Sequence, residues 1–438
     1  MIILLLCILI IELIVAYLVN GKRIVSPSII AIGVFIFSSL LYALFMDSFF
    51  GSDISLITVL VVSILLAFVI LGERVSSIFV KTNSNFIRRN VYHCSFKASN
   101  LIILFAGLFV TAVSVWYFYD VYKFSLSLGN SPGDFISAPQ YVRHASSYGT
   151  GRSVYSSGLV LGQLLLISKC VVYFSLYIFL ESIFVKKKPK WMCLLSFFGY
   201  FIYVFFCDSR GYLIADIMVF IIILNQILSN AGFSNKKINK ILVVFGLASF
   251  VAFFILFRIL GYRTGTSLHF SFATNLVDYA SSGIFGLDLF LQKPFYDNSY
   301  FAQNILRNVY LKLNDFGFNF VLGGPNADYF VFLGGQSNIY TGLRSLINDL
   351  GVFSCLFLFL WSFATTIMLR NKRYRFTMIH SYLLGMLFYP LVMISVGGEW
   401  ANVISITTLY MVFYLFIIEY LLNSDFLFVS HKYAFNRV

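Results

Sequence analysis

Residues 54–72 read ISLITVLVVSILLAFVILG, nineteen positions without a charged side chain. As a helix, a run of this length crosses a bilayer core of about 30 Å. Inside such a core only helices and closed barrels satisfy the hydrogen bonds of their backbone. The apolar runs of this chain are about 17 to 24 residues long and lack strand-like alternation, so we expect helices.

Similar runs recur along all 438 residues. The mean hydropathy is +0.87, and 60% of the residues are apolar while only 11% are charged. A soluble protein needs roughly a quarter charged residues. The sequence therefore predicts an all-α polytopic integral membrane protein with about eleven transmembrane helices, at 2–19, 28–46, 54–72, 100–119, 158–184, 191–206, 211–229, 241–257, 350–369, 377–396 and 401–421.

The remaining compositional features exclude several other classes. The net charge of +13 falls in short clusters between apolar runs, so nucleic acid is not a predicted partner. Six cysteines lack CxxC spacing, which favours packing roles over a metal site or a disulfide framework. The first run has no basic segment before it and no small-residue cleavage site, so we interpret it as a retained helix.

The distribution of Lys and Arg predicts the orientation. Loops on one side carry 20 of the 31 basic residues, the other side carries ten, and Lys169 lies within a span. By the positive-inside rule, the N-terminus is periplasmic and the C-terminus cytoplasmic in a bacterial inner membrane. This predicts a bundle of about eight helices at 1–257 with an outer loop at 120–157. A large outer segment at 258–349 follows, and then a bundle of about three helices with a tail at 350–438.

The outer segment contains two semi-apolar stretches, 272–291 and 316–333, that are too polar for spans. We expect both to be interfacial or re-entrant helices beside a cavity.

Arginine at membrane depth is costly, so each arginine near a span needs a reason. Arg210 follows Asp208 in a short outer turn that opens a span, where helix N–H groups favour an anion; a plain ion pair with Asp208 is the alternative. Arg258 and Arg263 leave the eighth span and either converge on one phosphate or anchor the helix at the interface.

Arg344 shares a predicted helix face with Thr341 and Asn348, directly before the ninth span. A polar stripe that enters a bilayer lines a cavity, unless it is simply the exposed face of an amphipathic helix. Guanidinium groups grip phosphate oxygens in pairs, so the four arginines together predict a diphosphate site at the outer boundary. No His, Asp or Glu cluster has metal-ligand spacing, and neither metal nor cofactor is predicted.

Glycosyl transfer from a lipid diphosphate also needs a base for the attacking hydroxyl. The candidates are Glu399, whose partial burial would raise its pKa, and four others, each with a structural role as the alternative: His269, Asp278, Asp328 and Asp349. In the outer loop 120–157, His144 is equally open between a role as base and a structural role, and Arg143 is a candidate for substrate contact; aromatic residues in the outer loops could stack on sugars.

These pieces resemble the Wzy-type oligosaccharide repeat unit polymerases. The resemblance covers roughly 200–360 and rests on four pieces: Asp208 to Gly211, the Arg258 to Arg263 exit, a Tyr279 to Leu291 segment that resembles Y-x-x-x-G-x-x-x-L-D, and N-x-Y-T at 338–341 running to Asn348-Asp349-Leu350-Gly351. In the last motif Leu350 replaces the aromatic residue of the family.

Membership of this family would imply a GT-C-like fold of the O-antigen ligase and polymerase branch, without a metal. It would imply undecaprenyl-diphosphate-linked donor and acceptor oligosaccharides of O-antigen or capsule, and a possible chain-length regulator as partner. Arg210, Arg258, Arg263 and Arg344 would hold the diphosphate. Asn338 and Tyr340 would join Thr341, Asn348, Asp278 and Arg143 as substrate contacts.

Two other functions remain open. An O-antigen ligase would use the same diphosphate site with the lipid A core as acceptor. A lipid-linked oligosaccharide flippase would have a cationic central cavity and usually twelve or more spans in two similar halves, which this sequence lacks.

Overall fold

The structure is a computed structural model of the chain, and it describes residues 1–82, 96, 98–139, 141–142, 157–207, 210–263, 272–293, 299–322, 330–337, 339–370 and 377–422. For a few helical and strand residues within these ranges only the backbone is described: 81–82, 210–212, 250, 252–263, 272–275 and 335–336.

The described part of the chain is almost entirely helical. Its elements are α1 (Ile2–Val19), α2 (Pro27–Phe45), α3 (Leu56–Thr82), α4 (Asn100–Ser127), α5 (Gly158–Phe184), α6 (Leu194–Phe206), α7 (Arg210–Asn230), α8 (Asn235–Arg263), α9 (Phe272–Gln292), α10 (Arg307–Asp315), β1 (Phe330–Phe332), β2 (Gly335–Ser337), α11 (Gly342–Leu350), α12 (Ser354–Arg370), α13 (Met378–Val392), α14 (Trp400–Val403) and α15 (Ile406–Leu422).

A helix occupies each of the eleven positions where hydropathy predicts a span. Within the described residues, eight helical segments are long and apolar enough to cross a membrane, and α6 and α13 are shorter apolar helices. The chain is therefore a polytopic all-α membrane protein. Large apolar side chains such as Leu18 and Phe105 lie exposed on these helices, as expected for surfaces that face lipid.

The chain divides into two compact units. Unit 1 comprises 1–90, 270–373 and 386–408, and unit 2 comprises 91–269, 374–385 and 409–438. The predicted division at 257 and 349 follows loop length instead of packing, and it stays a prediction.

In unit 1, α3 and α12 pack backbone to backbone. A side chain at Gly72 would overlap the carbonyl oxygen of Phe359, and the Ser362 hydroxyl donates to the carbonyl oxygen of Val69 at 2.7 Å. At one end of this helix pair, the Arg370 guanidinium lies 3.6 Å from the buried Glu73 carboxylate. Small residues and interhelical hydrogen bonds are the usual means by which helices associate in membranes.

The two semi-apolar stretches of the outer segment differ in structure. The first forms α9, as expected. The prediction of a helix across 316–333 is wrong, because 316–322 is non-helical after α10 and β1 pairs antiparallel with β2. Phe330 and Phe332 are buried while Val331 is exposed, so three residues alternate with the period of a strand. Both phenylalanines pack near Phe285 of α9, with ring centroids 5.9 and 6.1 Å away.

In unit 2, the core joins α4, α5 and α6 through apolar and aromatic side chains. Tyr117 of α4 lies 5.1 Å from Tyr203 of α6, measured between ring centroids, and Gly199 allows α6 to approach Thr111 of α4 closely.

Candidate functional site

A break in the last helices of unit 1 is the first candidate for a site. Helix α13 ends at Val392, and helical structure resumes only at Trp400. Between them the chain turns back on itself, since the N–H groups of Val396 and Gly397 both donate to the carbonyl oxygen of Met393 at 2.8 Å. Non-helical backbone at membrane depth is tolerated where protein buries it or where it lines a cavity. We call residues 393–399 the broken segment.

A serine pair relates the broken segment to α2. The Ser38 hydroxyl donates to the Ser395 hydroxyl at 2.8 Å, and both side chains are buried. Ser38 lies seven residues before the end of α2 at Phe45, which corresponds to about 10 Å along the helix axis. At Ser395, the broken segment therefore lies beside the interior of α2, about two turns before the helix ends at Phe45.

Four close contacts fix the broken segment against α9 and α11. The N–H of Gly342 donates to the carbonyl oxygen of Ile394 at 2.7 Å. At three glycines an added β-carbon would come closer than 3.0 Å to a neighbour: Gly283 to the carbonyl oxygen of Ser395, Gly342 to the carbonyl oxygen of Gly397, and Gly398 to the hydroxyl of Ser345. Gly283 is the glycine of the Y-x-x-x-G-x-x-x-L-D segment, so its place in that pattern has a steric reason.

Arg344 lies on α11, directly beside this junction. Thr341 caps the helix, its hydroxyl oxygen accepting a hydrogen bond from the Arg344 N–H at 3.3 Å. The Arg344 guanidinium carbon lies 3.5 Å from the ring centroid of Tyr340 and 5.4 Å from that of Phe290. A cation within about 6 Å of an aromatic centroid is attracted by the ring face. Stacking engages the face of the guanidinium, whereas phosphate oxygens bind at the N–H groups on its edge.

Glu399 ends the broken segment. Its carboxylate accepts a hydrogen bond from the side-chain amide of Asn402 and is also hydrogen-bonded to Tyr389. Burial raises the pKa of Glu399 above its ordinary 4.5, and these two hydrogen bonds oppose the rise. A carboxyl group with a raised pKa is suited to exchanging a proton near neutral pH.

Asp278 is a second carboxyl group of unit 1. It lies on α9, five residues before Gly283; its side chain is hydrogen-bonded to Ser337, and the Ser282 hydroxyl donates to its backbone carbonyl oxygen. Burial raises the pKa of Asp278, and the serine hydrogen bonds oppose this. Ser282 and Ser337 are themselves 3.3 Å apart, and Ser337 lies only three residues before Tyr340.

Asp349, another candidate base, has a structural position. Its carboxylate accepts hydrogen bonds from the N–H groups of Asn304 and Ile305, both at 2.8 Å, and from the side-chain amide of Asn304 at 2.7 Å. The carboxylate thereby holds the turn before α10 against the end of α11. Asn348, its neighbour, lies half-buried on the same short helix.

The structure thus brings Asp278, Tyr340, Thr341, Arg344, Asn348 and Glu399 into unit 1. Arg210 opens α7 and both Arg258 and Arg263 belong to α8, but their side chains are not described, so the four-arginine diphosphate site stays a prediction. Five other candidates lie outside the described residues: Arg143, His144, His269, Asp328 and Asn338.

Sequence reasoning missed the aromatic support of this site. The Trp400 indole N–H donates to the carbonyl oxygen of Gly342 at 3.2 Å, and the ring lies 5.1 Å from Trp361, edge to face. Trp400 is 1% exposed. Its place after Gly397-Gly398-Glu399 gives no signal of this contact, because the partner lies 58 residues earlier in the chain.

Unit 2 contains a buried polar cluster of its own. The Lys169 ammonium lies 2.6 Å from the Asp216 carboxylate, which is fully buried. The Tyr173 hydroxyl donates to Asp216 at 2.6 Å, and the Tyr200 hydroxyl donates to its other oxygen. The lysine that the sequence places within a span therefore has an acidic partner and two phenols beside it, as buried charges require.

Among the described residues, no group of three or more His, Cys, Asp or Glu side chains is placed to hold a metal ion. No protein-family profile, curated protein or solved structure matches this chain.

Proposed function

We propose that this chain is a glycosyltransferase of the bacterial inner membrane that polymerises undecaprenyl-diphosphate-linked oligosaccharide repeat units of O-antigen or capsule at the periplasmic face. In this reaction a hydroxyl of the acceptor unit attacks the anomeric carbon of the donor chain. The bond from that carbon to the diphosphate breaks, and undecaprenyl diphosphate leaves with the electron pair.

One observation carries the proposal. Arg344, stacked on Tyr340, lies on a helix that is hydrogen-bonded to the broken segment ending in Glu399. A guanidinium group and the partly buried carboxyl group of Glu399, whose pKa is raised, thus flank one helical break. The reaction needs both, since a cation stabilises the charge on the leaving diphosphate and a carboxylate accepts the proton of the attacking hydroxyl.

The finer features of the fold belong to the same proposal. They are eleven spans, a GT-C-like arrangement, a periplasmic N-terminus and a cytoplasmic C-terminus. Their support is the helix at each of the eleven predicted positions and the asymmetry of Lys and Arg between the loops. Arg210, Arg258 and Arg263 are proposed as further diphosphate contacts, and His269, Asn338 and Arg143 as further members of the site.

The proposed partners are the lipid-linked donor and acceptor, the bilayer that delivers both, and a possible chain-length regulator. No cofactor enters the reaction, because cleavage of the glycosyl diphosphate supplies its driving force.

A deletion strain complemented with variants tests the function. Loss of a polymerase leaves single repeat units attached to the core, whereas loss of a ligase or a flippase leaves none. We expect Arg344→Ala to give the single-unit pattern at normal protein level. Arg344→Lys should give shortened chains, because lysine keeps the charge without the paired donors of guanidinium.

Lys312→Ala is the matched control, since Lys312 is an exposed cation of the same outer segment and forms an ion pair with Asp315, three residues away, at 2.8 Å. It should keep chains of normal length. Long chains from Arg344→Ala would remove Arg344 from the site. In a strain whose O-antigen depends on this chain, a deletion that leaves no attached unit would refute the polymerase assignment.

A further inference from the structure

The carboxylates around the broken segment differ in what their oxygens already bind. Asp288, the aspartate of the Y-x-x-x-G-x-x-x-L-D segment, accepts three hydrogen bonds at Oδ1, from the N–H and hydroxyl of Ser55 and the hydroxyl of Thr58, at 2.5 to 2.8 Å. Its Oδ2 accepts from Gln292 at 2.7 Å. Asp288 thus caps the start of α3, and its hydrogen-bonding capacity is used within the fold.

Two other carboxylates are engaged in the same way. Asp349 uses both oxygens on Asn304 and Ile305, as described above. Glu399 is bound by Asn402 and Tyr389, both within two turns of the helical break that it terminates. These contacts hold local structure together, and none of them requires a ligand.

Asp278 differs from all three. Its Oδ1 is buried and has no hydrogen-bond partner among the described residues, although the side chain is hydrogen-bonded to Ser337 and the Ser282 hydroxyl donates to the backbone carbonyl oxygen of Asp278. A buried carboxylate oxygen left unsatisfied costs free energy, and a catalytic role is one of the reasons for which folds keep such an atom. A hydroxyl group is a donor of the required kind.

The position of Asp278 connects it to the arginine site. Ser282 is adjacent to Gly283, the residue on which α9 meets the broken segment and the start of α11. Ser337 ends the hairpin strand that leads within three residues to Tyr340, the ring beneath Arg344. Asp278 is therefore connected to Arg344 through Ser337 and Tyr340.

We propose that Asp278 is the catalytic base of the polymerisation reaction, and that it contacts the acceptor sugar at its attacking hydroxyl. Oδ1 accepts the hydrogen bond of that hydroxyl and takes its proton as the new bond from oxygen to the anomeric carbon forms. The bond between the anomeric carbon and the diphosphate oxygen breaks in the same step. The carboxylic acid then returns the proton to solvent, and Ser337 keeps the carboxyl group oriented throughout.

This inference rests on the proposed function, so the first measurement is of the wild-type protein. The full-length chain in detergent micelles is incubated with undecaprenyl-diphosphate-linked repeat units, and polymer length and released undecaprenyl diphosphate are measured. A wild-type protein that makes no polymer under any tested condition defeats the proposed function itself. A wild-type protein that polymerises allows the role of Asp278 to be judged separately.

Asp278→Asn replaces the carboxylate by a group of the same shape that accepts no proton. We expect its rate to fall by about 100-fold or more, while the dissociation constant for the lipid-linked donor stays within about twofold. Asp278→Glu should exceed Asp278→Asn in rate, because it retains a carboxylate. A merely structural aspartate would tolerate the amide at least as well as the longer acid. Asp288→Asn, ten residues further along α9, is the control, and its rate per folded molecule should equal that of wild type.

Rescue by azide distinguishes a catalytic base from a structural aspartate, because azide makes a missing base unnecessary and does not repair a structural defect. Azide needs no deprotonation, so with Asp278→Ala it should attack the anomeric carbon, form a glycosyl azide and release undecaprenyl diphosphate. We expect release to rise with azide concentration for Asp278→Ala and not for wild type. If Asp278→Asn polymerises at the wild-type rate, or if folded Asp278→Ala gains nothing from azide, Asp278 is not the base. If Asp278→Ala does not fold, the comparison of Asn with Glu decides.

Discussion

Gly283→Ala tests the close approach on which the candidate site is built. In the interior of a helix, alanine is ordinarily better than glycine by about 0.8–1.0 kcal/mol. At Gly283, however, the new methyl group would lie closer than 3.0 Å to the carbonyl oxygen of Ser395 and 3.4 Å from the backbone nitrogen of Thr341. Both neighbours are backbone atoms, so no side-chain rotation can relieve the overlap.

Forcing an extra methyl group into a packed interior costs about 1–3 kcal/mol. We take the upper half of that range for Gly283 because its neighbours are rigid. After the gain in helix propensity is subtracted, Gly283→Ala should lower the free energy of unfolding by about 1–2 kcal/mol. Gly33→Ala is the matched control in the same unit, since nothing lies within 4 Å of its β-carbon position in α2. It should be neutral or more stable by up to about 1 kcal/mol.

The assay is thermal unfolding of the two variants and the wild type in the same detergent, followed by tryptophan fluorescence. Opposite signs for the two substitutions are the expected result. If Gly283→Ala proves as stable as Gly33→Ala, α9 does not meet the broken segment at Gly283, and the construction of the site around that contact is wrong.

Three further predictions concern ionisable side chains. Burial raises the pKa of Glu399, so the folded protein favours its neutral form. The free energy of unfolding should therefore fall as the pH rises from about 4.5 through the raised pKa. In unfolding scans, Glu399→Gln should show a weaker dependence of stability on pH than wild type. Lys169→Met leaves a buried carboxylate without its cation and should lower stability by about 3–5 kcal/mol, whereas adding Asp216→Leu should recover most of the loss, as judged by unfolding temperatures. Asp349→Ala removes three hydrogen bonds and should raise amide hydrogen exchange at Ile305 at least tenfold without moving exchange in α3.

Hydropathy predicts the helices of this chain well for a physical reason. A bilayer requires about twenty consecutive apolar residues and leaves the backbone no alternative to a helix, so local sequence is sufficient. The same reasoning fails at 316–333, where α10 ends at Asp315 and a short hairpin follows. Its strand alternates over only Phe330 to Phe332, which is too short for periodicity to reveal in advance.

The candidate site is predictable in its residue types and less so in its arrangement. Arg344 and Glu399 stand out because charges near spans are rare. The sequence does not show which carboxylates are already hydrogen-bonded within the fold. Asp288 binds residues more than 200 positions earlier, and Asp349 binds a turn about 45 positions earlier. Lys169 likewise stands alone in the sequence, and only the packing of α5 against α7 supplies Asp216 as its partner.

The order of the chain has a consequence for how the broken segment enters the membrane. Its partners in α2, α9 and α11 are Ser38, Gly283 and Gly342, and all three are synthesised before residue 393. When residues 393–399 leave the ribosome, these three partners have already been synthesised. The backbone carbonyl groups of Ile394 and Ser395 can therefore contact them while the segment inserts. If residues 393–399 were moved to the front of the chain, they would be synthesised before Ser38, Gly283 and Gly342, and their non-helical backbone would enter the membrane without these partners.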